Sequence, residues 1–160
     1  MSLESANDLV SQTFKDVQVF TWKKCMYIKN QKKLRWGYTT GTCGTAASMA
    51  AALMLLGQKR VGQVKVSTPK GVDLDLEIEE IHFTKEQAVC AVRKDSGDDP
   101  DVTNGIAIYS RVSFRDDKPE TEGYIWENEV IRLHLTAGEG VGIVTKPGLA
   151  CEVGKPAINP

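Results

Sequence analysis

The sequence is short of the residues that build metal centres and disulfide frameworks. Its four cysteines, Cys25, Cys43, Cys90 and Cys151, lie far apart without a C-x-x-C pair, and only His82 and His134 offer imidazole. This excludes the common zinc ligand patterns and leaves too little cysteine for a secreted disulfide scaffold. A cytoplasmic protein with free thiols and no protein-bound metal is therefore expected. One-signed charge is lacking as well: 20 Lys+Arg stand against 21 Asp+Glu, a net charge of −1. No broad basic field exists to gather nucleic acid or an anionic membrane surface, so neither is an expected partner. The longest apolar run, Ala46 to Leu56, is interrupted by Ser48. It falls short of the roughly 18 residues of a membrane span and reads as a core helix. The N-terminus also lacks the basic-then-apolar order of a signal peptide.

The 160 residues suit one ordinary domain with an arm. Residues 1–34 are polar and mixed, with only Val17–Trp22 and Cys25–Ile28 patterned as strands, and form the expected arm. Residues 35–160 form the expected domain. Thr39, Thr40 and Thr42 offer N-cap oxygens ahead of an alanine- and leucine-rich run that Gly57 can end, which predicts a helix over about 43–56. With almost no polar face, that helix should be covered on most sides. After Gly57 the period changes to strict alternation. Val72, Leu74, Leu76 and Ile78 face one way, and Asp73, Asp75, Glu77 and Glu79 the other.

Val61–Thr68 and Gln87–Lys94 flank that strand through the turns Pro69-Lys70-Gly71 and Thr84-Lys85-Glu86, which suggests a three-stranded antiparallel meander. Gly105–Phe114 and Val130–Gly138 read as further strands, separated by a polar loop at Arg115–Tyr124. The expected fold is α+β, a mostly antiparallel twisted sheet of about five strands packed against one long apolar helix. His82, His134 and the tryptophans Trp22, Trp36 and Trp126 read as packing or surface residues.

Three stretches invite a chemical reading. TTGTCGT opens the helix, where unpaired N–H groups and the positive dipole end favour an anion, although plain N-capping accounts for the same residues. It is not a nucleotide P-loop, because Thr42 stands where the second glycine is required and no Gly-Lys-Ser/Thr follows. Cys43 has no histidine nearby in sequence to act as its base, so an unreactive thiol is expected there. In GEGVGIVTKPGL, Gly138, Gly140 and Gly142 fail as a dinucleotide fingerprint, since Lys146-Pro147-Gly148 forbids the following helix. A tight loop near a ligand or another segment remains, with Lys146 as a point charge for a carboxylate. In RKDSGDDPDVTNG, the spacing of Asp95, Asp98, Asp99 and Asp101 does not fit a calcium loop. An Asx-type turn is the simplest reading, but four adjacent carboxylates need compensation from Arg93, Lys94 or a ligand.

Taken together, GYTTGTC (Gly37–Cys43), KDSGDDPDVTNG (Lys94–Gly105), GEGVGIVTKPGL and VGKPAINP (Val153–Pro160) stand in an order and spacing that resemble the CbiD family, the cobalt-precorrin-5B C(1)-methyltransferases of anaerobic cobalamin biosynthesis. The resemblance runs from about Leu34 to the last residue. Ser96 stands where the family usually has alanine, Asn104 where histidine is common, and Gly44-Thr45 interrupt what is usually an alanine run.

The resemblance implies methyl transfer from S-adenosylmethionine to ring carbon C-1 of a cobalt-containing tetrapyrrole, with the cobalt belonging to the substrate. It also implies a C-terminal S-adenosylmethionine-binding half beyond Pro160, so that residues 35–160 are the substrate-side portion. Site residues follow from the shared phrases. Asp98 and Asp99 are candidates for catalysis. Thr39, Thr40, Gly41, Thr42, Asp95, Asp101 and Lys146 are candidates for substrate binding. Self-association or contact with the remaining half is a further expectation, and a stand-alone corrinoid- or partner-binding domain is the alternative reading.

Overall fold

Thr39 opens the helix on which the first part of the molecule is built. In the computed structural model, which describes residues 26–29, 32–68, 71–114, 123–148 and 151–158, α1 spans Thr40–Gly57. Thr39 is extended at φ −78° and ψ 163°, and its Oγ1 accepts the Thr42 N–H at 3.1 Å. This N-cap starts the helix three residues before the expected Cys43. At the other end Gln58, not Gly57, takes the left-handed cap at φ 48°, and its N–H donates to Met54 O at 2.9 Å. A glycine is dispensed with because the Gln58 side chain adds a bond to Leu55 O at 2.7 Å.

Nine strands accompany α1 among the described residues. β1 (Met26–Lys29) pairs with β2 (Lys32–Arg35), and β3 (Gln63–Ser67) with β4 (Asp73–Glu77). β5 (Glu79–Phe83), β6 (Gln87–Arg93) and β7 (Ala107–Ser113) form a three-stranded sheet, and β8 (Tyr124–Glu127) pairs with β9 (Arg132–Leu135). Every pairing is antiparallel. The expected α+β class is what the chain adopts, and five strands, β3 to β7, accompany the helix.

Those five strands belong to two sheets, so the expected meander does not form. The alternation holds through Ile78, which is buried and whose N–H continues the β3–β4 ladder by donating to Gly62 O at 3.0 Å. Glu80 then takes φ 51° and the β5–β6 register shifts between Glu79 and His82. A left-handed non-glycine residue redirects the chain, and β5, not β4, becomes the neighbour of β6. The Thr84 turn behaves as expected, its hydroxyl accepting the Glu86 and Gln87 N–H groups at 3.2 Å each. Val17–Trp22 lies outside the described residues.

The core lies where α1 meets β3, β4, β5, β6 and β7. Cys43, Ala46, Ala47, Ala50, Ala51, Met54 and Leu55 recur at intervals of three and four and are buried. Alanine on this face lets the sheets approach closely, so that Cys90 Sγ donates to Ala47 O at 3.2 Å and the Ser48 and Ser110 hydroxyls meet at 2.8 Å. Met54, Leu76 and Val92 are the largest fully buried side chains, and each contributes about 1.5–3 kcal/mol through burial. At 18 residues α1 is, by length and composition, long and apolar enough to cross a membrane, unlike the shorter run expected. Its buried stripe against two sheets is that of a core helix. The helix was expected to be covered on most sides, and between Thr42 and Leu56 Thr45 alone is exposed, with Met49 and Leu53 half-buried beside the core.

The described residues fall into two compact units, divided after Phe114. The second consists of the β8–β9 hairpin and the loops that follow it. There Val144 is buried, its N–H donates to Lys155 O at 2.9 Å, and Ala157 N–H donates to Gly142 O at 2.8 Å. Lys155 Nζ donates to Gly123 O at 2.8 Å, and Tyr124 Oη donates to Pro156 O at 3.2 Å.

Candidate functional site

The loop after β6 folds back onto the segment that leads into α1. Arg35 and Asp98 bond reciprocally: the Arg35 N–H donates to Asp98 Oδ2 at 2.6 Å, and the Asp98 N–H donates to Arg35 O at 3.1 Å. Trp36 and Gly97 form a β-bridge, and the Tyr38 N–H donates to Asp95 O at 2.8 Å. The Arg35 guanidinium grips the Asp95 carboxylate in a two-point ion pair, with Nη2 donating to Oδ1 at 2.7 Å and Nη1 to Oδ2. Two phrases far apart in the chain, RWGYTTGTC and KDSGDD, are thus one piece of structure.

Two glycines permit this approach. A Cβ on Gly37 would stand 2.0 Å from the Ser96 carbonyl carbon, and one on Gly97 would stand 2.3 Å from Arg35 O. Gly97 also has φ 66°, which disfavours any side chain.

The second half of the loop is organised from inside. Lys94 has a side chain only 4% exposed, and its Nζ donates to Asp101 Oδ2 at 2.5 Å and to Thr103 Oγ1 at 2.6 Å. Asp101 Oδ1 accepts the Thr103 N–H at 2.7 Å, so the carboxylate has a full set of donors. Asn104 Oδ1 accepts the Ser96 N–H at 2.9 Å, while the buried Ser96 hydroxyl has no partner among the described residues.

These bonds set the electrostatics. The Arg35 ion pair holds the Asp95 carboxyl below the usual carboxylate range, with partial burial opposing it and the Gly97 N–H adding to it. The Lys94 ammonium, then the Thr103 hydroxyl and N–H, hold Asp101 well below that range. The compensation required by four carboxylates comes from Lys94, as expected, and from Arg35. Arg93 is engaged elsewhere, donating to Glu79 at 3.0 Å and to Gly105 O at 3.0 Å.

The four aspartates have different duties as a result. Asp95, Asp98 and Asp101 have carboxylates committed to loop bonds. Asp99 is exposed, and its side chain takes no hydrogen bond among the described residues; only its backbone is used, donating to Ser96 O at 3.2 Å and accepting from Asp101 at 2.8 Å.

At the helix start, Thr39 Oγ1 is occupied by the Thr42 N–H and lies 3.0 Å from Thr42 Oγ1. Thr40 and Gly41 are exposed in the first turn, and their N–H groups point to no acceptor among the described residues. Cys43 is fully buried and its thiol is pushed up to about 11, chiefly by burial. That agrees with an unreactive thiol.

Lys146 lies in the second unit, exposed in the bend that ends at Gly148, whose φ is 111°. The segment that approaches GEGVGIVTKPGL is VGKPAINP: Ile143 bridges Pro156, and the Gly154 N–H donates to Val144 O at 2.8 Å. The last two phrases, like the first two, are joined in space.

Sequence reasoning missed Arg35 and Gly37. Gly37 carried a signal, being a glycine that the helix start did not require. Arg35 carried none, since its partners lie 60 and 63 positions away. An open cavity of about 400 Å³ lies beside Tyr38 and Arg93, lined also by Gln63, Asp75, Glu77, Glu79 and Val92. None of the candidate catalytic or substrate-binding residues read from the sequence lines it. No protein metal site is formed among the described residues, since no three His, Cys, Asp or Glu side chains cluster with ligand geometry.

Comparison with known proteins matches the CbiD family model to residues 27–160. The cobalt-precorrin-5B C(1)-methyltransferase of Alkaliphilus metalliredigens is 51% identical over 133 residues, covering 83% of this chain and 32% of that protein. Proteins of the same name from Ruminiclostridium cellulolyticum and Thermoanaerobacter sp. are each 47% identical over 133 residues, with 31% and 33% of their lengths covered. The chain spans about a third of the length of the curated relatives it matches. No solved structure matches it.

Proposed function

The chain belongs to the CbiD family, and we propose that it is the substrate-side part of a cobalt-precorrin-5B C(1)-methyltransferase. The observation that carries this reading is the junction of RWGYTTGTC with KDSGDD through Arg35, Gly37 and Gly97, which sets an open helix N-terminus beside an acidic loop. A tetrapyrrole of this class has carboxylate side chains on its rim and N–H and C–H groups within the ring. The free N–H groups of Thr40 and Gly41 suit a rim carboxylate. Thr39 and Thr42 act through the cap.

Asp99 is the carboxylate of the loop left for substrate, as a hydrogen-bond acceptor for the ring or as the base that collects a proton. Asp98, bound to the Arg35 N–H, acts by holding the loop, as Asp95 and Asp101 do through Arg35 and Lys94. The methyl group comes from S-adenosylmethionine and passes to C-1 of the electron-rich macrocycle, giving cobalt-precorrin-6A. The protein's part is to hold donor and acceptor in line at near contact. The donor site falls to the part of the relatives outside the matched third, and no residue described here is assigned to it.

The test is a protein of the relatives' full length carrying this sequence as its matched third, incubated with cobalt-precorrin-5B and S-adenosylmethionine. The product should gain one methyl group at C-1 by mass spectrometry and NMR. Failure, where the Alkaliphilus relative succeeds under the same conditions, overturns the assignment. The rival reading is a corrinoid- or partner-binding domain without catalysis. Binding of the cobalt-precorrin to such a protein without any methyl transfer would decide for it.

A further inference from the structure

The β8–β9 hairpin carries an apolar face that the described residues leave open. The register sets Tyr124 opposite Leu135 and Trp126 opposite Leu133, so these four share one face. Trp126 is 56% exposed, Leu133 55% and Leu135 47%, and Val130 and Ile131 at the turn are 52% and 49% exposed. A contiguous apolar surface of this kind is unusual on a free monomer, and a two-stranded hairpin is at best marginally stable by itself. The hairpin is tied down at one end only, where Tyr124 bonds Pro156 and Lys155 bonds Gly123. The Trp126–Leu133 end is without such a clasp among the described residues.

We propose that this face is the docking surface for the remaining two thirds of a CbiD-length protein. Two observations point to that occupant over a second copy of this chain. The matched stretch makes up 31–33% of each relative named above, so about twice as much polypeptide accompanies it there. Lys155 and Pro156, near the end of the described residues, bond the hairpin at Gly123 and Tyr124. The inference rests on family membership and the exposed face, and is independent of which substrate the family's active site takes.

The test compares the 160-residue chain with a fusion in which the rest of the Alkaliphilus relative follows Pro160. Both carry Leu133→Cys in a background with Cys25 and Cys151 replaced by serine, and maleimide labelling is followed by mass spectrometry. Docking protects position 133 in the fusion by about tenfold or more, whereas Glu86→Cys, on the exposed Thr84 turn, labels at the same rate in both. Equal labelling at position 133 in a folded fusion overturns the proposal. So does concentration-dependent protection in the 160-residue chain alone, which would assign the face to a second copy. Should the fusion not fold, hydrogen exchange on the matching hairpin of the intact Alkaliphilus relative decides. Slow exchange there, with fast exchange in the 160-residue chain, supports docking, and fast exchange in both overturns it.

Discussion

Gly37 and Gly97 meet backbone to backbone: a Cβ on Gly37 would stand 2.4 Å from the Gly97 nitrogen, and a Cβ on Gly97 would stand 2.6 Å from the Gly37 nitrogen. Neither clash involves a flexible side chain, so neither can be relieved without moving the main chain. Gly37→Ala and Gly97→Ala should each destabilise the first unit by about 2–4 kcal/mol in urea unfolding. Gly97→Ala should be the worse, because its φ of 66° adds strain to the clash. Alanine at Gly62, where nothing lies within 4 Å, is the control and should change stability little.

The Ser96 hydroxyl makes the opposite prediction. It is buried with no hydrogen-bond partner among the described residues, an arrangement that costs free energy. Ser96→Ala should leave stability unchanged or raise it by up to about 1 kcal/mol, read from the same unfolding curves. A clear loss of stability would show that the hydroxyl has a partner after all.

Much of the fold was legible because it depends on local patterns. The helix announced itself through the threonines before the alanine run, and the β5–β6 turn through Thr84. The alternation of Val72 to Ile78 correctly marked a half-buried strand. It gave no warning of Glu80, whose positive φ splits the sheet in two, because glutamate is a residue from which no left-handed turn is expected. The site was legible as separate phrases and not as an assembly. The partner of Asp95 is Arg35, 60 positions earlier, and the pattern around Asp95 drew attention to its neighbours Arg93 and Lys94 instead. Lys94 answered that expectation because its target, Asp101, is only seven positions away.

The aspartates should separate by function when each is replaced by asparagine in a full-length enzyme. Asp99→Asn removes a carboxylate with no bond in the loop and should leave the melting temperature unchanged while lowering turnover about tenfold or more. Asp98→Asn weakens the bond to the Arg35 N–H and should lower the melting temperature together with activity. A pH–rate profile separates the two roles proposed for Asp99. Loss of the acidic limb in Asp99→Asn marks a base, and an unchanged profile with raised KM marks a positioning acceptor.

Acid should loosen the loop before the rest of the first unit. Asp95 and Asp101 both have carboxyl groups depressed below their ordinary range, by the Arg35 ion pair and the Lys94 bond respectively. A depressed carboxyl contributes stability that is fully present above its unfolded value, about pH 4, and is lost as pH falls through the folded value. Stability should therefore be flat on this account at neutral pH and decline below about pH 4. Asp95→Asn and Asp101→Asn should each flatten that decline in urea midpoints measured from pH 7 downward. The Asp95 contribution should be modest and sensitive to salt, since its side chain is 37% exposed.

The thiols offer a last test of where the core lies. Cys43 and Cys90 are fully buried against the sheets, and burial pushes both thiols up to about 11. At neutral pH almost none of either is thiolate, the form that reacts, and reagent cannot reach them without local unfolding. Cys151, partly accessible in the second unit, should alkylate first among the described cysteines. Iodoacetamide labelling of the native chain, located by peptide mass spectrometry, should mark Cys151 while Cys43 and Cys90 remain unmodified until urea is added. Early labelling of Cys43 would mean that the first turn of α1 opens readily. The N-terminus offered above to a substrate carboxylate would then be a poor anchor for it.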